Sequence, residues 1–367
     1  MHSGNFAEKA LLDASESDVL ANLSYMGIQT VRTGLIVGLA ALALGLLLAA
    51  CVSSVEKPKL EPLLRALGKN QPAAALQRLP FQADLGLGQR DYELVYLHVE
   101  ATEPNPGPPI VLIHGTPSTL LSWTELIYGS TKPGTEFEGL AASHEVYAIE
   151  IIGHGIAPGD AAPYGFERCA RFIGAALEAL GLEQVHLVGS SYGGEFAWRA
   201  ALNEPDRFAS LTLLDSSGVR RRDDDWLSEE VLMRENGLAK LGWILNSRDR
   251  IRSALAPHFR EIPPDRVEEF FLVCQNSHNW KAMVDLACDE NGDRESELPK
   301  LKTPTLLLWG EEDLAYSVDY YGQRFAEAIP NSQFVKIENT GHYPHEESPA
   351  RVVRELLQFF RTLAMER

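Results

Sequence analysis

Cysteine is scarce in this chain, with four among 367 residues and no C-x-x-C pair. That excludes a disulfide scaffold and a cysteine-ligated metal centre. No His-x-x-x-His spacing offers a helical metal site, and no G-x-x-x-x-G-K-S/T run offers a phosphate-binding loop. Neither a metal nor an organic cofactor is therefore expected. Positive charge is also short: 33 Lys and Arg stand against 51 Asp and Glu, a formal net charge of −18. So acidic a surface argues against nucleic acid as a partner, and against an electrostatic grip on anionic lipid. No internal repeat is visible, which sets aside solenoid architectures. What remains is ample apolar content, 45% of residues, for one large α/β domain with an insertion.

One long apolar run is present, Gly34 to Ala50, preceded by Arg32. It is short for a transmembrane helix, which needs about 20 apolar residues, and suits the apolar region of a signal peptide. Its end, Leu48-Ala49-Ala50-Cys51, resembles a bacterial lipobox, which implies lipidation at Cys51. On that reading residues 1–50 are a signal peptide or membrane anchor, and the protein is exported, held at a membrane facing the periplasm or the cell surface. Residues 1–25 are polar and acidic, unlike a basic leader, and Met26 makes the better start; the alternative is a cytosolic tail ahead of a plain anchor. Residues 51–75 then form a polar, proline-interrupted tether and a lead-in helix, with helical character expected over Leu60–Leu79. The first stretch, Cys51 to Pro62, reaches only ~20 Å as a coil, which keeps the following domain near the bilayer.

The chemistry centres on Gly189-Ser190-Ser191-Tyr192-Gly193-Gly194, set between an apolar strand, Val185–Val188, and a helix-like run, Glu195–Asn203. A G-x-S-x-G turn between strand and helix is a nucleophile elbow. Gly189 and Gly193 lack a Cβ and so let strand and helix approach closely, while Ser191 is pushed out over the helix N-terminus. Downstream, the buried-strand candidate Pro304–Trp309 runs into Gly310-Glu311-Glu312-Asp313, and Gln333–Ile337 leads to a loop carrying His342. Upstream, Pro109–Ile113 runs into His114-Gly115-Thr116-Pro117. Three loops at the same end of adjacent parallel strands bring Ser191, Asp313 and His342 together. Asp215, at the end of the strand candidate Ser210–Leu214, is the alternative acid. The N–H groups of Thr116 and Tyr192 are the expected oxyanion donors, since Pro117 has none to give.

These motifs, with Gly153-His154-Gly155 and Gly341-His342-x-Pro344-His345-x-Glu347-x-Pro349, resemble the α/β-hydrolase fold family in its capped, single-domain form. The resemblance covers Tyr92 to the C-terminus. It implies an α/β fold with a mostly parallel central sheet flanked by helices and a helical cap insertion, and a catalytic set of Ser191, Asp313 and His342. Residues 76–215 and 303–367 are expected as the core, 216–302 as the cap. One departure is Glu150, where many relatives carry Asp. His114, His154 and His345 are expected in structural roles, and Glu311 and Glu312 as solvated loop charges.

Within the cap, helices are expected around Ser228–Leu245, Asp249–His258, Pro264–Gln275 and Trp280–Cys288. Trp226, Trp243, Phe270, Phe271 and Trp280 are candidates for an acyl pocket, or for the cap's own core. Arg220-Arg221-Arg222 followed by Asp223-Asp224-Asp225 reads as a solvated loop. Cys274 and Cys288 are either bridged or two free buried thiols. The expected activity is hydrolysis of a small-molecule carboxylic ester with an apolar acyl part. A carbon–carbon bond hydrolase or perhydrolase on the same fold is the alternative, and a ligand-binding lipoprotein a third. Dehalogenase and epoxide hydrolase chemistry is disfavoured because those relatives carry Asp where this chain has Ser191.

Overall fold

The computed structural model describes residues 76–103, 107–222 and 247–365. The apolar run, Met26, Cys51, most of the lead-in helix, Trp226, Trp243 and the Ser228–Leu245 helix lie outside the described residues. Among the described residues no helix is long and apolar enough to cross a membrane.

Eight strands form one sheet: β1 (Leu76–Asp84), β2 (Gln89–Val99), β3 (Ile110–Ile113), β4 (Val146–Glu150), β5 (Val185–Ser190), β6 (Phe208–Leu214), β7 (Thr305–Gly310) and β8 (Gln333–Ile337). Their spatial order is β1-β2-β4-β3-β5-β6-β7-β8. β2 pairs antiparallel with β1 and β4, and every pair from β4 to β8 is parallel. The expected helix ending at Leu79 is corrected here: Leu76–Leu79 already belong to β1, in register with Leu97–Leu94. Period-two packing wins over helical spacing because Phe81 seats against Tyr92 and Phe172. The hairpin closes where Asp84 Oδ1 accepts the N–H groups of Gly86, Leu87 and Gly88.

β3 to β7 are buried on both faces, so they read as mainly apolar runs rather than alternating ones. The alternation survives in which layer each residue enters. Val111, Ile113, Leu187, Leu307 and Trp309 join one core with Phe166, Phe172, Phe196 and Trp198. Ile110, Leu112, Val188, Leu306 and Leu308 join the other with Val352, Leu356 and Phe359. Helices α1 (Phe166–Ala179) and α2 (Tyr192–Asn203) therefore cover the first face, and the C-terminal helix (Pro349–Met365) covers the second.

The cap follows β6, with α3 (Arg248–Leu255), α4 (Pro264–Cys274) and α5 (Ser277–Asp289). Each start has a local cause. Ser247 Oγ accepts the Arg250 N–H, and Asn276 Oδ1 accepts the His278 N–H, so α5 begins three residues earlier than the sequence suggests. Proline at the first turn of α4 fits a position needing no N–H partner. Cys274 is buried and Cys288 exposed, and no disulfide joins them. Cys274 faces Met283 instead, at 3.8 Å.

Candidate active site

Because β3, β5, β6, β7 and β8 run parallel, their C-terminal ends share one edge of the sheet, where ligand crevices form in such folds. The elbow leaves β5 with Ser191 at φ 55° and ψ −125°, a left-handed conformation that costs of order 1–3 kcal/mol for a residue with a Cβ. The backbone overrides that cost from both sides. The Ser191 N–H donates to Leu214 O at 2.9 Å, and its carbonyl accepts from Gly194 and Ser217. A Cβ on Gly193 would stand 2.3 Å from the His114 carbonyl oxygen, and one on Gly115 would stand 2.8 Å from the Ser191 Cβ. Both glycines are required by close approach.

The Ser191 hydroxyl donates to His342 Nε2 at 3.0 Å, and His342 Nδ1–H donates to Asp313 Oδ2 at 2.7 Å. All three side chains are buried. The other oxygen of Asp313, Oδ1, accepts the N–H groups of Ala315 and Tyr316 at 2.8 and 3.0 Å. Burial alone would raise the Asp313 carboxyl, but His342, the Tyr316 N–H and Asp215 outweigh it and hold the group below its ordinary value. Asp215, the alternative acid, does not bond the histidine. Its Oδ1 accepts the Gly310 N–H at 2.9 Å, tying the end of β6 to the end of β7. Burial, then the charge of Asp313, push the Asp215 carboxyl well above its ordinary range. The two carboxyls are thus shifted in opposite directions, Asp313 downwards beside His342 and Asp215 upwards.

Asp215, Asp313 and His342 each present one donor atom within 4.8 Å of the others. His342 Nδ1 is committed to Asp313 Oδ2, so the ring nitrogen that faces the two carboxylates is a hydrogen-bond donor and not a ligand.

The flanking histidines are engaged in hydrogen bonds and ring packing. His154 donates from Nδ1 to the Ile152 carbonyl, and its Nε2 accepts the Thr116 hydroxyl at 2.6 Å. Burial, then His114, push His154 down to about 3, which fixes it as the neutral acceptor this bond requires. His114 braces its own loop through Gly115 O. His345 packs on Trp123 with ring centroids 4.3 Å apart. Glu311 and Glu312 are exposed.

Thr116, Ser191, Tyr192 and His342 open into a cavity of about 340 Å³. Leu255, Phe270, Cys274, Trp280, Met283 and Ala287 give it apolar lining from the cap, to which Asp249, Arg250 and Ser253 of α3 add polar groups. Phe271 is not in that wall; its ring lies under the Arg248 guanidinium at 4.1 Å. Of the lining residues that the sequence reading did not single out, three surround His342. His258 abuts His342, ring centroids 5.3 Å apart, and its carbonyl accepts the His342 N–H at 2.7 Å. Tyr316 stacks on the His342 ring at 5.4 Å. Tyr343 packs edge-on against it at 4.9 Å.

Outside the cavity wall, Arg221 corrects the reading of its tract as solvated: its side chain is buried, 3.7 Å from Glu290 and over the Tyr316 ring. The tract's charge pattern hides this, because the partner acid lies far along the chain at the end of a cap helix.

A family model described as "Alpha/beta hydrolase family" matches residues 110–355. The uncharacterised hydrolase YugF of Bacillus subtilis is 27% identical over 70% of this chain and 92% of its own length. The uncharacterised carboxylesterase nap of the same species is 24% identical over 72% of this chain and 82% of its own. Among solved structures, a bacterial membrane phospholipase A superposes with a TM-score of 0.62 at 24% identity, covering 92% of this chain and 99% of that one. Haloalkane dehalogenases and a meta-cleavage product hydrolase also match, so the relatives span several hydrolytic chemistries.

Proposed function

The chain belongs to the alpha/beta hydrolase family, and we propose that it is a serine hydrolase cleaving a carboxylic ester through an acyl-enzyme. The observation that carries this reading is the Ser191–His342–Asp313 hydrogen-bond chain at the wall of an apolar cavity.

The steps follow from those bonds. Ser191 Oγ attacks the acyl carbon while its proton passes to His342 Nε2. The carbonyl oxygen becomes an oxyanion, held by the N–H groups of Thr116 and Tyr192. Asp313 remains ionised and stabilises the imidazolium. The tetrahedral species collapses, the imidazolium protonates the departing alkoxide, and an ester to Ser191 is left. Water, deprotonated by His342, then attacks that ester and releases the acid and free Ser191. The apolar cap wall favours an apolar acyl group. Haloalkane dehalogenase chemistry is not proposed, because a serine stands at the elbow.

A membrane tether belongs to the same reading. It is supported by the Leu48-Ala49-Ala50-Cys51 sequence and by likeness over most of the chain to a phospholipase described as a membrane protein. The test of the chemistry is a panel of p-nitrophenyl esters of graded acyl length, set beside a carbon–carbon diketone substrate. Fluorophosphonate labelling, read by peptide mass, locates the nucleophile. Ser191→Ala should abolish labelling and lower ester turnover by at least about 10³-fold with the fold intact. A variant that keeps a tenth of wild-type kcat removes Ser191 from the mechanism, and turnover of the diketone alone moves the reaction to carbon–carbon bonds.

A further inference from the structure

Glu290 closes the cap's last long helix, immediately after Asp289, and its side chain is 2% exposed. A carboxylate so deeply buried needs donors. It has two phenols: Tyr192 Oη donates to Oε2 at 2.7 Å and Tyr316 Oη donates to Oε1 at 2.7 Å. Arg221 supplies the opposite charge, with Nη1 3.7 Å from Oε2 and its guanidinium carbon 4.9 Å above the Tyr316 ring.

The two phenols belong to different parts of the candidate site. Tyr192 follows Ser191 and opens α2, so the peptide that carries the elbow's oxyanion N–H is the one its ring anchors. Tyr316 touches the rest. Its N–H donates to Asp313 Oδ1, its carbonyl accepts from Trp309 Nε1 at 2.7 Å, and its ring stacks on His342. Both tyrosines line the cavity with Ser191 and His342. A single cap carboxylate is thus bonded to one neighbour of the nucleophile and to one neighbour of both the acid and the base.

We propose that Glu290 is a positioning residue that sets the site's geometry from the cap, acting through the phenols of Tyr192 and Tyr316. The inference rests on the serine hydrolase reading. Two charge-assisted hydrogen bonds from one rigid acceptor remove the phenols' freedom to rotate out of plane. With the acceptor altered, the His342 ring loses the fixed surface it stacks on, and the elbow peptide loses its side-chain anchor. Misplacement of a reacting group by about 1 Å costs about 10²-fold in rate, and this loss falls on kcat because the apolar cap residues Leu255, Phe270, Trp280 and Met283 stay in the cavity wall.

The experiment uses the full chain and a short p-nitrophenyl ester. Glu290→Gln keeps the shape but can accept from only one phenol, because its other end is an NH₂ donor. It should lower kcat 10- to 100-fold and slow fluorophosphonate labelling in parallel, with KM within about threefold of wild type. The paired variant Tyr192→Phe/Tyr316→Phe should lower kcat to a similar level. Adding Glu290→Gln to that pair should change kcat by less than threefold, since the carboxylate would have no phenols left to act through. A role in cap stability alone predicts the opposite, a lowered melting temperature with kcat per folded molecule unchanged. Wild-type kcat in soluble Glu290→Gln overturns the proposal, and so does full additivity in the triple variant. If Glu290→Gln does not fold, the paired phenylalanine variant decides: kcat within twofold of wild type overturns it. Wild-type protein that neither labels at Ser191 nor cleaves any ester overturns the underlying reading instead.

Discussion

Replacing Asp313 by Asn changes one atom, and its consequence can be worked out from the bonds that atom keeps. Asp313 Oδ1 accepts two backbone N–H groups, from Ala315 and Tyr316, at 2.8 and 3.0 Å. An asparagine in this pocket must turn its carbonyl oxygen towards them, because an NH₂ there would face two donors. The NH₂ is then forced into the position of Oδ2, which lies 2.7 Å from His342 Nδ1. Two donors cannot share that bond, so His342 gives up its Nδ1 proton and holds one on Nε2. Nε2 then points a hydrogen at the Ser191 hydroxyl, 3.0 Å away, where a lone pair is needed. The fold is preserved and the base is lost.

The expected fall is about 10⁴ in kcat, the scale of a wrong-tautomer triad, or roughly 5 kcal/mol of barrier at about 1.4 kcal/mol per decade. Asp215→Asn is the matched control. Its Oδ1 bond to the Gly310 N–H survives as an amide carbonyl, and burial and the charge of Asp313 already disfavour the ionised form of the carboxyl it replaces. It should cost about tenfold or less, well under the loss expected of a partnered group. The assay is steady-state ester hydrolysis on proteins matched for melting temperature. The reasoning is refuted if Asp313→Asn keeps more than a tenth of wild-type kcat, or if Asp215→Asn is the more damaging. A loss of only 10- to 100-fold in Asp313→Asn that becomes total in the double variant would mean that Asp215 takes over as the acid.

Stability should fall on acidification. Burial, reinforced by His114 and His342 respectively, holds His154 and His258 down at about 3. The stability they contribute is complete above the unfolded value near 6.5 and is lost as pH falls below it, because the unfolded chain takes up protons the fold refuses. Each costs up to ~1.4 kcal/mol per pH unit in that window, so His258→Gln should flatten the fall in melting temperature between pH 7 and 5, and an equal slope in both proteins would refute this. Gly193→Ala should lower the melting temperature by about 5 to 10 °C, by overpacking of up to ~3 kcal/mol against the His114 carbonyl; a melting temperature within 2 °C of wild type would show that the elbow has room. Cys51→Ser should abolish lipid attachment, read by mass spectrometry of membrane-extracted protein, and an unmodified, uncut Cys51 in wild type would mark a plain anchor.

Where the sequence was legible, close steric demand had left few choices. The elbow admits only glycine at its tight positions, so Gly189 and Gly193 announce the turn, and strand–loop order then places Asp313 and His342. Buried strands were equally readable, because a sheet covered on both faces makes apolar residues predominate from β3 to β7. β1 misled for a physical reason: a half-exposed strand on the sheet's edge carries leucines at spacings that also suit a helix, and only its partner β2 decides between them. The choice between Asp313 and Asp215 depended on which carboxylate reaches His342, a distance that no one-dimensional pattern carries.

Arg221 shows where pattern reading ends. Three arginines followed by three aspartates look like a mutually neutralising surface run, and Arg220 is indeed exposed. Yet Arg221 is buried against Glu290, a residue far along the chain at the end of α5. Neither charge is interpretable alone. A buried arginine without its acid, or a buried glutamate without its phenols and arginine, would cost several kcal/mol. That mutual dependence ties the start of the cap to its end and both to the tyrosines beside Ser191 and His342. The cap is therefore bonded into the site it covers, and a substitution at Glu290 tests whether shape alone is enough for its task.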